Sequence, residues 1–184
     1  MRADLLQTGD IVFSTSWSPF AMAIRLRTGG WREVFRQRIP HHVGIVYYPE
    51  HGKPRVAEML KRLRSSTPEI YGHRSRMGDR IHSIWRPQLI SADKGALNAV
   101  IRANVTKGVD YDWAELYLDY FTRSGKVPFL KDDEDKTYCS AYVYGVLKMT
   151  GCIDSETFDE RVSPVDLWSW CQMECKSMTR EVMT

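Results

Sequence analysis

The apolar residues in the first half of the chain come in short runs separated by turn residues, a pattern typical of β-strands. Four segments rich in β-branched and aromatic residues predict strands: 9–16, 41–48, 54–60 and 79–87. The second and third are joined by the turn-type residues of 49–53, which predicts a hairpin. One segment of this half, 19–30, has apolar residues at helical spacing and ends in a glycine pair, so it predicts a short helix.

In the second half the apolar residues follow the helical period. Four segments predict helices: 91–108, 111–121, 137–148 and 163–175. Thr137 can cap the third helix, and Ser163, Pro164 and Asp166 form a capping-box arrangement at the start of the fourth. Because strands cluster in the first half and helices in the second, the sequence predicts an α+β fold with a mainly antiparallel sheet packed against helices.

The composition fits one compact domain spanning residues 1–184, since 43% of the residues are apolar. No apolar run reaches the roughly 20 residues that a membrane span needs. The first ten residues, MRADLLQTGD, also lack the apolar stretch of a signal peptide. We therefore expect a cytoplasmic protein without a transmembrane segment.

The cysteines are expected to remain free thiols in such a compartment: Cys139, Cys152, Cys171 and Cys175. Cys171 and Cys175 lie one helical turn apart and resemble half a metal site. No histidine or cysteine pair at a matching spacing completes it, so the sequence predicts no metal ligands.

The formal net charge of +3 is too small to indicate nucleic-acid binding. The basic residues nevertheless cluster in the first half of the chain: Arg25, Arg27, Arg32, Arg36 and Arg38, then Lys61, Arg62 and Arg64, then Arg74, Arg76 and Arg80. An acidic run occupies 132–135. We interpret the arginines as solvated surface residues rather than an anion-binding surface, and no aromatic residues interleave with them as in a base-stacking groove.

Cys139 has two interpretations. If Thr137 caps the helix, Cys139 lies in its first turn, where free backbone N–H groups and the helix dipole favour a negatively charged sulfur. The same N–H groups could donate to the oxyanion that forms when the sulfur attacks a carbonyl. The alternative is core packing, because cysteine is among the most buried residue types, and we assign that role to the other three cysteines.

A thiolate mechanism needs a proton carrier, which near neutral pH is usually histidine. The period of strand 41–48 puts His42 and Gly44 on one face, and Gly44 leaves space into which the start of the cysteine helix would fit. Glu58, on the next strand, could orient the imidazole; a bond to an arginine and exposure to solvent are the open alternatives. The other histidines are expected to face solvent: His41, His51, His73 and His82.

The ordered set of motifs GDIVF, HVGIV, VAE, GVDYDW, YCSAYVYG and SPVDLW resembles the circularly permuted papain-like amidases and peptidases of the NlpC superfamily, in their YiiX/YebB-like branch. The resemblance covers about residues 5–168. It implies a permuted papain-like fold with Cys139 as nucleophile at a helix start, His42 as general base and Glu58 as third member. Many relatives have serine at the place of His41 and an acidic residue at that of Ala141, and neither difference removes a reacting atom.

The resemblance also implies a function, a thiol hydrolase that cleaves an amide bond through an acyl-enzyme. Its substrates would be peptides, including those of cell-wall peptidoglycan, or amide-linked lipids, and its source a bacterium or a phage. The absent export signal fits a cytoplasmic role, or delivery by a phage or a secretion machine. A lipid or acyl transferase using the same thiol and a catalytically silent binding module are the alternatives. The proposed chemistry requires neither a metal nor an organic cofactor.

Overall fold

The structure, a computed structural model, describes residues 2–29, 39–60, 62–68, 80–89, 91–111, 136–137, 139–153, 158 and 162–183. Its strands are β1 (Ile11–Thr15), β2 (His42–Tyr47), β3 (Arg55–Met59), β4 (Leu63–Ser66), β5 (Arg80–Arg86), β6 (Asp110–Tyr111), β7 (Lys136–Thr137) and β8 (Lys176–Ser177). Its helices are α1 (Pro19–Gly29), α2 (Ser91–Lys107), α3 (Cys139–Met149), α4 (Pro164–Glu174) and α5 (Thr179–Met183), and a 3₁₀-helix at Ala3–Leu5 precedes β1. The fold is therefore α+β.

Six strands form one sheet in the order β4-β3-β2-β1-β5-β8, and every neighbouring pair is antiparallel. β1 lies between β2 and β5 and is buried along its whole length, as expected for a strand covered on both faces. Ser14 near the end of β1 pairs with His42 at the start of β2. The end of the central strand and the first histidine of the hairpin thus meet at one end of the sheet.

The alternation of side chains along the strands divides the core between the two faces of the sheet. One face packs against α2, α3 and α4 through these buried sheet residues: Ile11, Phe13, Val43, Ile45, Tyr47, Ala57 and Met59. The other face packs against α5 and the segment that contains the 3₁₀-helix, through Val12, Val46, Val56 and Ile84. The helix that begins with Cys139 makes most of its contacts to the sheet on β2.

A strand or helix is present at each predicted segment that the structure describes, and its ends lie within two residues of the predicted ones. The helix predicted at 137–148 begins at Cys139, because Lys136–Thr137 pair with β6 as a short parallel strand. The helix predicted at 111–121 lies outside the described residues except for Tyr111, which belongs to β6 instead. The sequence pattern missed β4, β8 and α5, which are too short to establish a period.

The predicted capping box at the start of α4 is confirmed. The Asp166 N–H donates to Oγ of Ser163 at 3.2 Å, and the Ser163 N–H donates back to the carboxylate of Asp166 at 3.0 Å. Pro164 occupies the first turn of the helix, where its missing N–H has no intrahelical role. Among the residues that the structure describes, no helix has the length and apolar character to cross a bilayer.

Candidate active site

His42 is the first residue of β2 and is only 8% exposed. Its Nε2 atom lies 3.1 Å from Oε2 of Glu58 on β3. The residue directly opposite Glu58 is Gly44, so the imidazole reaches Glu58 diagonally across the hairpin. A carboxylate only accepts hydrogen bonds, so Nε2 donates in this contact and Nδ1 is left for a second partner.

Gly44 is the position over which this diagonal contact passes. A Cβ atom here would lie 2.6 Å from Cγ1 of Val56, 3.0 Å from the carbonyl oxygen of Ala57 and 3.3 Å from Cβ of Glu58. All three atoms belong to β3, so the expectation that the start of the cysteine helix fills this space is wrong. The missing side chain instead lets β3 bring Glu58 and its neighbour Val56 close to β2.

Glu58 is 2% exposed and uses both of its carboxylate oxygens. While Oε2 faces His42, Oε1 accepts hydrogen bonds from Nε and Nη2 of Arg64, at 3.1 and 3.0 Å, and from Oγ of Ser66 at 2.5 Å. Two of the alternatives left open by the sequence therefore occur together, and solvent exposure is wrong. The buried carboxylate is held in one orientation by partners on both neighbouring strands.

Arg64 and Ser66 are site residues that the sequence interpretation missed, because β4 was not predicted. β4 pairs with β3 so that Arg64 lies directly opposite Glu58. The available signal was the spacing itself, since an acidic and a basic residue six positions apart around a tight turn suit a cross-strand pair.

Cys139 is the first residue of α3 and is 4% exposed. Cys139 is close enough to His42 to contribute to its protonation. Burial by itself lowers the pKa of His42, but its interactions with Cys139 and Glu58 raise it to about 10. The imidazole therefore keeps its proton at neutral pH and faces the sulfur as a cation.

The position of Cys139 at the helix start also supplies hydrogen-bond donors. The first N–H groups of an α-helix have no acceptor within the helix, so they remain available to a negatively charged oxygen near the sulfur. Thr137 belongs to β7, and the cap expected from its side chain stays a prediction.

His41, the neighbour of His42, is 9% exposed, so the expectation that it faces solvent is wrong. Its backbone N–H donates to the carbonyl of Ser14 at 3.2 Å, and its Nε2 lies 3.4 Å from Oγ of Ser16. Burial, followed by the charges of His42 and Arg25, lowers the pKa of His41 to about 3. His41 is thus a neutral imidazole between two cations.

The other histidines follow the expectation only in part. His51 is exposed, as predicted, whereas His82 is half-buried with its ring 5.2 Å from that of Trp168, and His73 lies outside the described residues. The surface interpretation of the arginines holds for Arg62, Arg64 and Arg80 and is wrong for Arg25, which is fully buried.

All four cysteines are free thiols, as predicted. Cys171 is buried, and Cys152 and Cys175 are half-buried. Burial raises the pKa of Cys152 and of Cys171. Within the described ranges, no three residues of the types His, Cys, Asp and Glu come together in a group that could hold a metal ion.

The comparisons with known proteins bear on the fold alone. No family model and no curated protein matches the chain. A similar solved structure is the crystal structure of the metalloprotein YiiX from Escherichia coli O157:H7, DUF1105, with 20% sequence identity and a TM-score of 0.53. The match covers 78% of this chain and 66% of that chain. The chain therefore has an α+β fold similar to that of YiiX.

Proposed function

We propose that this protein is a cysteine hydrolase of amide bonds with a permuted papain-like fold. Cys139 is the nucleophile, His42 carries the proton and Glu58 orients the imidazole. The observation that carries the proposal is the coupling of three buried side chains: His42 hydrogen-bonds to Glu58 and interacts with Cys139, the first residue of α3. A nucleophile, a base and a third group that holds the base form the general arrangement of nucleophilic catalysis.

In the first half of the reaction, Sγ of Cys139 attacks the amide carbonyl carbon and a C–S bond forms. The carbonyl oxygen becomes an oxyanion, to which the free N–H groups at the start of α3 donate hydrogen bonds. His42 then gives its proton to the leaving nitrogen, the C–N bond breaks and an acyl-enzyme remains. In the second half, His42 takes a proton from water, whose oxygen attacks the thioester and releases a carboxylic acid.

The substrates in this proposal are peptides, including the peptides of peptidoglycan, or amide-linked lipids, and the protein acts in the cytoplasm or after delivery to another compartment. A panel of dipeptide amides, a muropeptide and a long-chain N-acyl amide, followed by mass spectrometry of the products, distinguishes these classes. Cys139→Ser serves as the inactive control for every substrate.

The activated thiol is tested by competitive labelling with a limiting amount of iodoacetamide at pH 7. Accessibility alone makes the half-buried Cys152 and Cys175 react before Cys139, which is only 4% exposed. The proposal instead expects Cys139 to be alkylated first, because reactivity follows the fraction of thiolate. Peptide mass spectrometry measures the four rates, with Cys152→Ser as a matched control that leaves the rate at Cys139 unchanged.

A labelling order that follows exposure, with Cys139 among the slower cysteines, contradicts the proposal. It would favour the catalytically silent binding module, in which the same three side chains stabilise the fold without chemistry.

The low exposure of Cys139 and His42 favours a second candidate, an acyl transferase on the same thiol. A site that limits the access of water prolongs the life of the acyl-enzyme, so an amine or alcohol can replace water as the second nucleophile. Supplying an acyl donor with and without an amine acceptor separates the two. Transfer product in excess of hydrolysis product supports the transferase, and hydrolysis unaffected by the acceptor supports the hydrolase.

A further inference from the structure

Arg25 on α1 is the largest fully buried side chain in the part of the chain that the structure describes. Its Nη1 donates to Oγ1 of Thr15 at 2.6 Å, whereas Nε and Nη2 are buried and have no hydrogen-bond partner there. A guanidinium stays protonated in proteins, and a buried cation without a counter-ion costs free energy. The arrangement therefore calls for an anionic partner that the described residues do not supply.

Two other arginines of this protein show which kind of anion would suit Arg25. Arg86 binds the two carboxylate oxygens of Asp10 with Nε and Nη2, at 2.7 and 2.8 Å. Arg64 binds Glu58 with the same two atoms. These nitrogens lie on one edge of the guanidinium and match two oxygens of a carboxylate or a phosphate. Arg25 presents the same edge with no oxyanion against it.

Arg25 and the candidate active site lie at the same end of the sheet, because Arg25 binds Thr15 and the preceding Ser14 pairs with His42. His41 lies between the two regions, because its ring centroid is 6.3 Å from that of His42 and the charge of Arg25 contributes to lowering its pKa. On the other side, the guanidinium carbon of Arg25 is 5.6 Å from the ring centroid of Trp17, which is 49% exposed. An exposed aromatic ring in contact with a buried cation suits a small-molecule site that opens to solvent.

We propose that Arg25, with Thr15 and Trp17, forms a subsite for an oxyanion group of the substrate, a carboxylate or a phosphate, at the same end of the sheet as His42. Its role as a substrate subsite rests on the proposed cysteine hydrolase, whereas the binding of the anion itself does not need the thiol. The subsite selects amides that carry an oxyanion at a fixed distance from the scissile bond, because a neutral substrate leaves the buried guanidinium without a partner.

Isothermal titration calorimetry at constant ionic strength tests the subsite with defined probes. Inorganic phosphate and ethyl phosphate represent the phosphate group, N-acetylglycine represents the carboxylate, and N-acetylglycinamide is the uncharged match of the carboxylate probe. The proposal expects saturable binding of one oxyanion type at a single site and no binding of the amide. The type that binds identifies whether the substrate carries a carboxylate or a phosphate.

Three variants make the test specific to Arg25. Arg25→Met keeps most of the side-chain volume, and its affinity for the anion should fall by about tenfold or more, since two charge-assisted hydrogen bonds are lost. Arg25→Lys keeps the charge without the planar edge and should also bind about tenfold more weakly. Arg102→Met removes an exposed arginine that pairs with Glu50 and should bind the anion as the wild type does.

Thermal unfolding separates a ligand-binding role of Arg25 from a structural one. Without anion, Arg25→Met should melt at or above the wild-type temperature, because the substitution removes an unpaired buried charge. With the bound anion, the melting temperature of the wild type should rise and that of Arg25→Met should not. Absence of saturable oxyanion binding to the wild type, equal affinity in Arg25→Met or Arg25→Lys, or a lower melting temperature of Arg25→Met without anion overturns the proposal.

The failure of the subsite and the failure of the enzyme give different results. If Cys139→Ser still binds the anion and Cys139 of the wild type shows no enhanced alkylation, the binding site is retained and the enzymatic role is removed. Enhanced alkylation of Cys139 without oxyanion binding retains the enzyme and removes the subsite.

Discussion

His41 and His42 are adjacent in the chain and almost equally buried, but one imidazole is neutral and the other is a cation. Their ring centroids are 6.3 Å apart and their exposures are 9% and 8%. Burial lowers the pKa of both, yet that of His41 falls to about 3 while that of His42 rises to about 10. The comparison teaches that burial alone does not decide the charge of a histidine in this protein.

The partners account for the difference. His42 hydrogen-bonds to Glu58 and interacts with Cys139, and both partners favour the imidazolium. Around His41 the charged groups are Arg25 and His42, and both disfavour a further positive charge. The charged partners, not the degree of burial, thus separate a proton carrier from a neutral neighbour.

The first prediction, with the largest effect, concerns the pH dependence of folding stability. The folded pKa of His42, about 10, exceeds its ordinary value of 6.5, so its contribution is complete below pH 6.5 and is lost as the pH rises through 10. The folded pKa of His41, about 3, is depressed, so its contribution is complete above pH 6.5 and is lost as the pH falls through 3.

Two single variants test which histidine causes the loss of stability at alkaline pH and which causes the loss at acid pH. His42→Asn should reduce the loss of unfolding free energy at alkaline pH, and His41→Asn the loss at acid pH. Each change corresponds to about one proton, or a slope of about 1.4 kcal/mol per pH unit. Urea unfolding between pH 4 and 10 measures both slopes. Curves that stay parallel to the wild type in both variants would show that neither histidine is perturbed as described.

The same two variants also distinguish the histidines by their effect on the reactivity of Cys139. His42→Asn should slow the alkylation of Cys139 by iodoacetamide at pH 7 by about 100-fold, because loss of the neighbouring cation lowers the fraction of thiolate. His41→Asn should change the rate by less than about threefold, because a neutral imidazole contributes no charge to the thiolate. Stopped reactions with peptide mass spectrometry give both rates. Equal slowing by the two substitutions would remove the functional distinction between them.

A third prediction concerns Gly44, over which the contact between His42 and Glu58 passes. Gly44→Ala should destabilise the protein by about 1–3 kcal/mol, because the new methyl group collides with side-chain and backbone atoms of β3. The displaced Glu58 should also slow the alkylation of Cys139. Gly95→Ala in α2 is the matched control, since no atom lies within 4 Å of its added methyl group, and it should stabilise by about 0.5–1 kcal/mol. A neutral Gly44→Ala would mean that β2 and β3 tolerate a wider separation.

The smallest effect is expected at the outer partner of Glu58. The side chain of Arg64 is 49% exposed, so Arg64→Ala should cost less than about 1 kcal/mol in the free energy of unfolding. Ser66 still donates to the same carboxylate oxygen, and the alkylation rate of Cys139 should therefore change little. Arg102→Ala, which removes another exposed ion pair, provides the reference for stability. A loss much larger in Arg64→Ala than in Arg102→Ala would make Arg64 essential to holding Glu58.

Local patterns predicted most of the elements that build the site. The alternation around His42, the hairpin to Glu58 and the helix that begins near Cys139 all follow from short-range preferences for strand, turn and helix. The hairpin suggested the pairing of His42 with Glu58, whereas the pairing with Cys139 needed a mechanistic argument and the order of motifs, because no local rule joins positions 42 and 139. Arg64 and Ser66 escaped notice because β4 has four residues, too few for a period.

The sequence by itself determined the α+β character of this protein, the main strands and helices, and the residue types available for thiol chemistry, since these depend on neighbours within a few positions. Only the tertiary structure decided the charges. Whether a histidine or an arginine is buried, and which partner it meets there, depends on segments far apart in the chain. His41 and Arg25, expected at the surface, are buried for that reason, and His42 owes its proton to a strand and a helix that pack on either side of it.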